Sequence, residues 1–118
     1  MVGAQIPRYG RYRQVIVEQR DYHVFTGKLV ELVRLYEEEG IAIQQEYLGG
    51  LIGVFTTDIG ALSTYTSLWG YDSFADREER RAKLQGDERW KAFLGRIQPL
   101  IHTQQNRILV PTSFSPLR

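Results

Sequence analysis

Leu68-Trp69-Gly70-Tyr71-Asp72-Ser73-Phe74-Ala75-Asp76-Arg77-Glu78-Glu79-Arg80-Arg81 passes from a strand pattern into a charged helix within a few residues. Upstream, Tyr65, Ser67, Trp69 and Tyr71 alternate with Thr64, Thr66 and Leu68, the two-residue period of a strand running over Leu62 to Tyr71. Downstream, Ser73 and Asp76 make a capping-box-like pair that sets a carboxylate at the positive end of a helix. Asp76 with Arg80, and Glu79 with Lys83, stand at i, i+4 in the favourable order. The junction fixes one strand, one helix start and the direction of the turn between them.

Working outward, Leu48 to Thr57 reads as a second strand, with Leu51, Gly53 and Phe55 on one face and Ile52 and Val54 on the other. Asp58-Ile59-Gly60 joins the two strands as a hairpin turn. Gln14 to Tyr22 is a third strand pattern: Val15 and Val17 on one face, Ile16, Glu18, Arg20 and Tyr22 on the other. Between these strands, Thr26 is expected to cap a helix whose apolar stripe is Leu29, Leu32, Val33 and Tyr36, with Gly40 as a left-handed stop. Ile41 to Tyr47 is ambiguous in pattern and could extend that helix after a kink. Beyond the opening stretch, Gly86 ends one helix and Asp87 caps the next, whose stripe is Trp90, Phe93, Leu94 and Ile97, with Pro99 near its end. Gln104 to Val110 is a last strand, and Pro111 to Arg118 a tail. Residues 1–12 read as an arm punctuated by Gly3, Pro7 and Gly10, and 13–118 as a single domain. The element order β-α-β-β-α-β is the ferredoxin-like α+β arrangement, a four-stranded antiparallel sheet with both helical regions on one face.

The composition narrows the function classes. In 118 residues there are 15 Lys and Arg against 14 Asp and Glu, and no Cys. That balance lacks the basic excess of a nucleic-acid module, and Leu62 to Asp72 lacks the basic lead of an RNA-recognition strand. Disulfides and Cys-based zinc sites are excluded; His23 and His102 stand in no metal-binding spacing, so no cofactor is expected. No secretory signal or membrane-length apolar run is read, and the expected location is the cytoplasm. Walker and nucleophile-elbow motifs are absent.

Apolar side chains on both faces of the second strand, and Trp69, Tyr65 and Tyr71 opposite Leu68 on the third, leave the helix-free face of the sheet expecting a cover. About four exposed side chains at roughly 1.5–3 kcal/mol each would rival the stability of a small domain. A second copy of the chain, sheet against sheet, is the expected cover, giving a homodimer with a barrel-like interior.

The chain resembles the NIPSNAP family, within the dimeric α+β barrel superfamily, from about Val15 to Leu117. The marks are Glu18-x-Arg20-x-Tyr22, Gly49-x-x-x-Gly53-Val54-Phe55-Thr56-Thr57 with Ile59-Gly60, and Leu68-Trp69-x-Tyr71-Asp72-Ser73 running into Arg77-Glu78-x-Arg80. Trp90, Ile108-Leu109-x-Pro111 and Phe114-Ser115-Pro116-Leu117 complete the set. The resemblance implies the fold and the dimer, with a family biochemistry that is poorly defined and superfamily relatives that include cofactor-independent monooxygenases.

Glu18, Arg20 and Tyr22 on one strand face combine a carboxylate, a guanidinium able to grip an anionic group in a fork, and a phenol. Tyr65, Trp69 and Tyr71 form an aromatic wall with polar tips. Arg20, Tyr22, Tyr65, Trp69 and Tyr71 are therefore the candidate contacts for a small organic ligand. The same residues also suit a packed core and interface in a non-catalytic interaction or scaffold module. Arg77 is expected to reach Asp72 or a ligand, and Glu78 to Arg81 to form a solvated, salt-bridged face.

Overall fold

The computed structural model describes residues 16–118. Strands β1 (Ile16–Val24), β2 (Leu51–Thr56), β3 (Thr64–Tyr71) and β4 (Ile101–Leu109) form one antiparallel sheet in the order β2-β3-β1-β4. The first crossover holds α1 (Leu29–Leu35), a π turn (Tyr36–Gly40) and α2 (Ile41–Tyr47); the second holds α3 (Phe74–Gln85) and α4 (Glu88–Ile97), with a 3-10 turn (Gln98–Leu100) leading into β4. This is the ferredoxin-like α+β fold. The arm expected over residues 1–12, and the strand start at Gln14, lie outside the described residues.

The junction behaves as its residues dictate. Ser73 is extended and its hydroxyl accepts the Asp76 amide at 3.0 Å, while Asp76 Oδ2 accepts the Asp72 amide at 3.1 Å. Asp87 caps α4 by accepting from the amides of Arg89 and Trp90, and it also accepts the Tyr47 hydroxyl at 2.7 Å, tying the two helical regions together. Leu32, Tyr36, Ile43, Leu84, Trp90, Phe93 and Ile97 bury against Ile16, Tyr22, Val24, Tyr65 and Trp69 of the sheet.

Three local expectations are corrected. Thr26 does not cap α1; Lys28 occupies that position without a side-chain cap, and Gly27 takes the positive φ of the turn. Gly40 is no left-handed stop: its φ is −64°, and the helix runs through it into α2. A Cβ there would overlap the Phe93 ring, so glycine is required by the close approach of α4. In β2 a bulge between Leu51 and Gly53 shifts the register, leaving Leu51 opposite Trp69 but Phe55 opposite Thr66. Leu51 and Phe55 therefore occupy opposite faces, where strict alternation had put them together.

That register decides which face carries what. Residues directly opposite in an antiparallel pair project to the same side, and Glu18 pairs with Trp69, Arg20 with Ser67, and Tyr22 with Tyr65. All six lie on the helix-covered face and are buried. The open face carries Gln19, Asp21, His23, Thr66, Gln105 and Arg107 toward its middle, and Val17, Ile52, Leu68 and Leu109 toward one end. The aromatic residues of β3 thus contribute nothing to the open face. Its apolar end borders a groove of about 280 Å³ flanked by Val110, Pro111 and Leu117 of the tail.

Candidate functional site

Beneath the helices, near the β1–β4 side of the sheet, a carboxylate is fully buried. Glu18 Oε2 accepts from Arg20 Nη1 at 2.9 Å, Arg77 Nη2 at 3.0 Å and Asn106 Nδ2 at 3.1 Å; its Oε1 accepts from Arg77 Nε at 3.2 Å. Burial alone drives the Glu18 pKa up, but the Arg77 hydrogen bonds and the charges of Arg20, Arg81 and Arg77 outweigh it and hold the carboxyl below its usual range. Burial likewise opposes the charge on Arg20, and its contacts with Tyr22 and Glu18 restore and exceed the loss, so its pKa rises.

Each donor has a structural reason for its place. Arg20 is two residues from Glu18 on the same strand face, and its Nε and Nη2 donate to the Tyr22 hydroxyl at 3.3 Å. Asn106 stands opposite Arg20 on β4 and is oriented by Gln104 at 3.2 Å. Arg77 projects from the first turns of α3, whose start the Ser73 cap fixes, so the junction aims this guanidinium at the sheet. It reaches Glu18 and not Asp72, with its remaining Nη1 on Glu78 at 2.6 Å. Arg81, one turn further along α3, is half-buried on the same side of the helix, not part of a solvated face. Arg80 turns away, donating to the carbonyls of Tyr47 and Leu48 and to Asp76.

Tyr22 and Tyr65 stack with centroids 6.0 Å apart, Tyr36 stacks on Tyr65 at 4.6 Å, and Phe93 meets Tyr36 edge-on at 4.9 Å. Trp69 is fully buried and donates to Ser67 at 3.2 Å. The five residues singled out in the sequence thus share one face: Tyr65 and Trp69 are buried in the core, Tyr22 stacks on Tyr65 while its hydroxyl meets Arg20, and Arg20 and Tyr71 border the charged cluster. Tyr71 also lines a surface cleft of about 100 Å³ beside Gly49, Gly50, Gly70 and Arg80; neither this cleft nor the open-face groove is lined by Arg20, Tyr22, Tyr65 or Trp69.

Among the described residues, three buried side-chain atoms find no hydrogen bond of normal geometry: Tyr36 Oη, Tyr71 Oη and Arg81 Nη1. Burial raises the pKa of Tyr71, the Glu18 charge adds to the rise, and Arg81 opposes it. Arg81 therefore lies within electrostatic reach of the phenol, although no hydrogen bond of normal geometry joins them. Tyr36 is pushed up by burial first and then by Tyr22 and Tyr65. Sequence reading placed Glu18, Arg20 and Tyr22 together but missed Asn106 and the inward turn of Arg81. Asn106 carries no local signal at all; the i, i+4 spacing of Arg77 and Arg81 is the one signal for Arg81. Among the described residues no group of three His, Asp or Glu side chains converges as a metal site.

Fold and site together define a ferredoxin-like α+β domain with an arginine-rich polar network buried between sheet and helices. Residues 17–116 match the NIPSNAP family model, and the chain belongs to the NIPSNAP family. It is 54% identical to a NIPSNAP family protein of known structure from Agrobacterium tumefaciens, with a TM-score of 0.87 over 91% of this chain and 94% of that one. A NIPSNAP-like domain protein from Burkholderia xenovorans is 45% identical, with a TM-score of 0.84 over 89% and 91% of the two chains. Protein NipSnap homolog 1 of Danio rerio is 32% identical over 96% of this chain, which spans only 39% of the zebrafish protein; for human NipSnap homolog 3A that share is 28%. A Nitrosomonas europaea chain provisionally named an antibiotic biosynthesis monooxygenase shares the fold alone, at 8% identity and a TM-score of 0.61 over 81% and 97% of the two chains. No helix among the described residues is long and apolar enough to cross a membrane.

Proposed function

We propose that the protein is a homodimer that binds a small organic molecule at the polar network beneath its helices. One observation carries the reading: the network around Glu18 ends in Tyr71 Oη and Arg81 Nη1, two buried polar atoms to which no described residue offers a hydrogen bond of normal geometry. A buried polar group without a partner costs about 1–3 kcal/mol, so native chains retain few of them without a use. Exposed Gln104 and Asn106, and an Arg77 side chain that keeps 20% of its surface, provide the approach from the β4 side. Arg20, Tyr22 and Tyr71 are the proposed contacts among the residues named from sequence, with Tyr65 and Trp69 as the wall behind them. The reaction class proposed with this binding is cofactor-independent oxidation by dioxygen, or isomerisation, of an activated phenol or enol. Fixed cationic groups facing a developing oxyanion suit that chemistry.

The dimer is proposed to close over the open face. Val17, Ile52, Leu68 and Leu109 supply its apolar end, while the helices leave that side uncovered. Sedimentation and light scattering are expected to give a mass twice 13.7 kDa, and Leu68→Arg to halve it without unfolding the chain. A fragment screen by NMR is expected to find aromatic ligands that perturb the amides of Tyr71 and Arg77 to Arg81. Absence of any hit at millimolar concentration would overturn the binding role.

A further inference from the structure

We infer that the molecule taken by this site is a monoanion, a carboxylate, enolate or phenolate, and that Arg81 with Tyr71 is the pair that receives it. The inference rests on the binding role proposed above and adds the ligand's charge and its two contacts.

Arg20, Arg77 and Arg81 all act on Glu18, and Arg77 has a second carboxylate in Glu78, so three guanidiniums share two negative charges. One positive charge is left over in a half-buried setting, where an uncompensated ion is costly. Hydrogen-bond capacity then says which cation is in surplus. Glu18 already accepts four donors, three on Oε2 and one on Oε1. Arg20 spends its other nitrogens on Tyr22 and Arg77 spends its last on Glu78. Among the described residues Arg81 alone of the three keeps a buried nitrogen with no hydrogen bond of normal geometry, and the neighbouring Tyr71 hydroxyl, in a residue 2% exposed, likewise has none.

A neutral ligand would accept from Arg81 or Tyr71 and leave the surplus charge in place. A planar oxyanion answers both needs, accepting an N–H from Arg81 and the O–H of Tyr71 while cancelling one positive charge. The raised pKa of Tyr71 keeps that phenol protonated at neutral pH, so it serves as a donor. A surplus of one charge suits a monoanion better than a phosphate dianion.

The test is a titration of the isotopically labelled full chain with benzoate, benzamide and inorganic phosphate at matched ionic strength, read from the side-chain Nε–H signals of the arginines and the backbone amides of Tyr71 and Arg81. Benzoate is expected to bind about tenfold or more tightly than benzamide, the value of one charged hydrogen bond, and more tightly than phosphate. Arg81→Gln is expected to abolish the preference for benzoate over benzamide, and Tyr71→Phe to reduce it. Arg81→Gln should lower the unfolding temperature less than Arg77→Gln does, because Arg81 acts on Glu18 by charge alone whereas Arg77 also donates two hydrogen bonds to it. Equal binding of benzoate and benzamide overturns the anion inference and leaves the binding role standing. Failure of both aromatic probes to bind overturns both. Phosphate binding as tightly as benzoate overturns the monoanion selectivity. A loss of stability in Arg81→Gln matching that of Arg77→Gln assigns Arg81 to the scaffold and overturns its role as the receiving group.

Discussion

Replacing Glu18 by Gln keeps the side chain's shape and removes its charge. In the parent the carboxylate accepts four hydrogen bonds at 2.9–3.2 Å from Arg20, Arg77 and Asn106. In Glu18→Gln one amide oxygen remains to accept, and the amide nitrogen presents hydrogens to guanidinium donors. Breaking a buried charged pair by removing one partner costs about 3–5 kcal/mol. The lower end applies here, because Arg77 keeps some solvent exposure and its Glu78 contact, and Arg20 keeps Tyr22. A loss of about 3 kcal/mol is a large part of the roughly 5–15 kcal/mol stabilising a small domain, and at this size it lowers Tm by roughly 10 °C or more. The assay is urea unfolding followed by tryptophan fluorescence and circular dichroism, run as a double-mutant cycle with Arg77→Gln. The cycle is expected to return a coupling energy of at least about 1.5 kcal/mol. A Glu18→Gln loss under about 1 kcal/mol, or strictly additive single mutants, would refute the idea that Glu18 organises the arginines.

Acid should remove the same contribution. The Glu18 pKa is held below its ordinary value of 4.5 in the folded chain, so the unfolded chain binds the proton more readily. The stabilisation is therefore complete above that ordinary value and is lost as pH falls through the lower folded one. Unfolding free energy measured from pH 6 to 3 is expected to fall more steeply in the parent than in Glu18→Gln; parallel curves would count against it. Gly40→Ala adds a methyl group where the Phe93 ring already lies, and that ring is held between Tyr36 and Trp90. A loss of about 1–3 kcal/mol is expected from overpacking, against the slight gain that Gly→Ala brings in an open helix position, and Phe93→Leu should restore part of it.

Periodicity and caps in the sequence led to the right fold because they are its local punctuation. Ser73 and Asp87 cap helices, and the alternation through Tyr65, Ser67, Trp69 and Tyr71 fixes one face of a central strand. The candidate site was legible only in part. Glu18, Arg20 and Tyr22 share a face by their two-residue spacing alone, and that holds in any sheet. What the face would meet was not legible: Arg77 arrives from 59 residues away, and Asn106 from 88.

By itself the sequence determined the order of the elements, the caps at Ser73 and Asp87 and the side of each central strand that each residue occupies, since these follow from dihedral preference and period within a few residues. Tertiary structure decided the rest. It turned Gly40 from a helix stop into a contact point for Phe93, and it moved Phe55 across the sheet through one bulge. It also brought a buried carboxylate and three arginines together while leaving Arg81 without an acceptor. Such outcomes depend on which distant backbones approach one another, and no local pattern of residues encodes that approach.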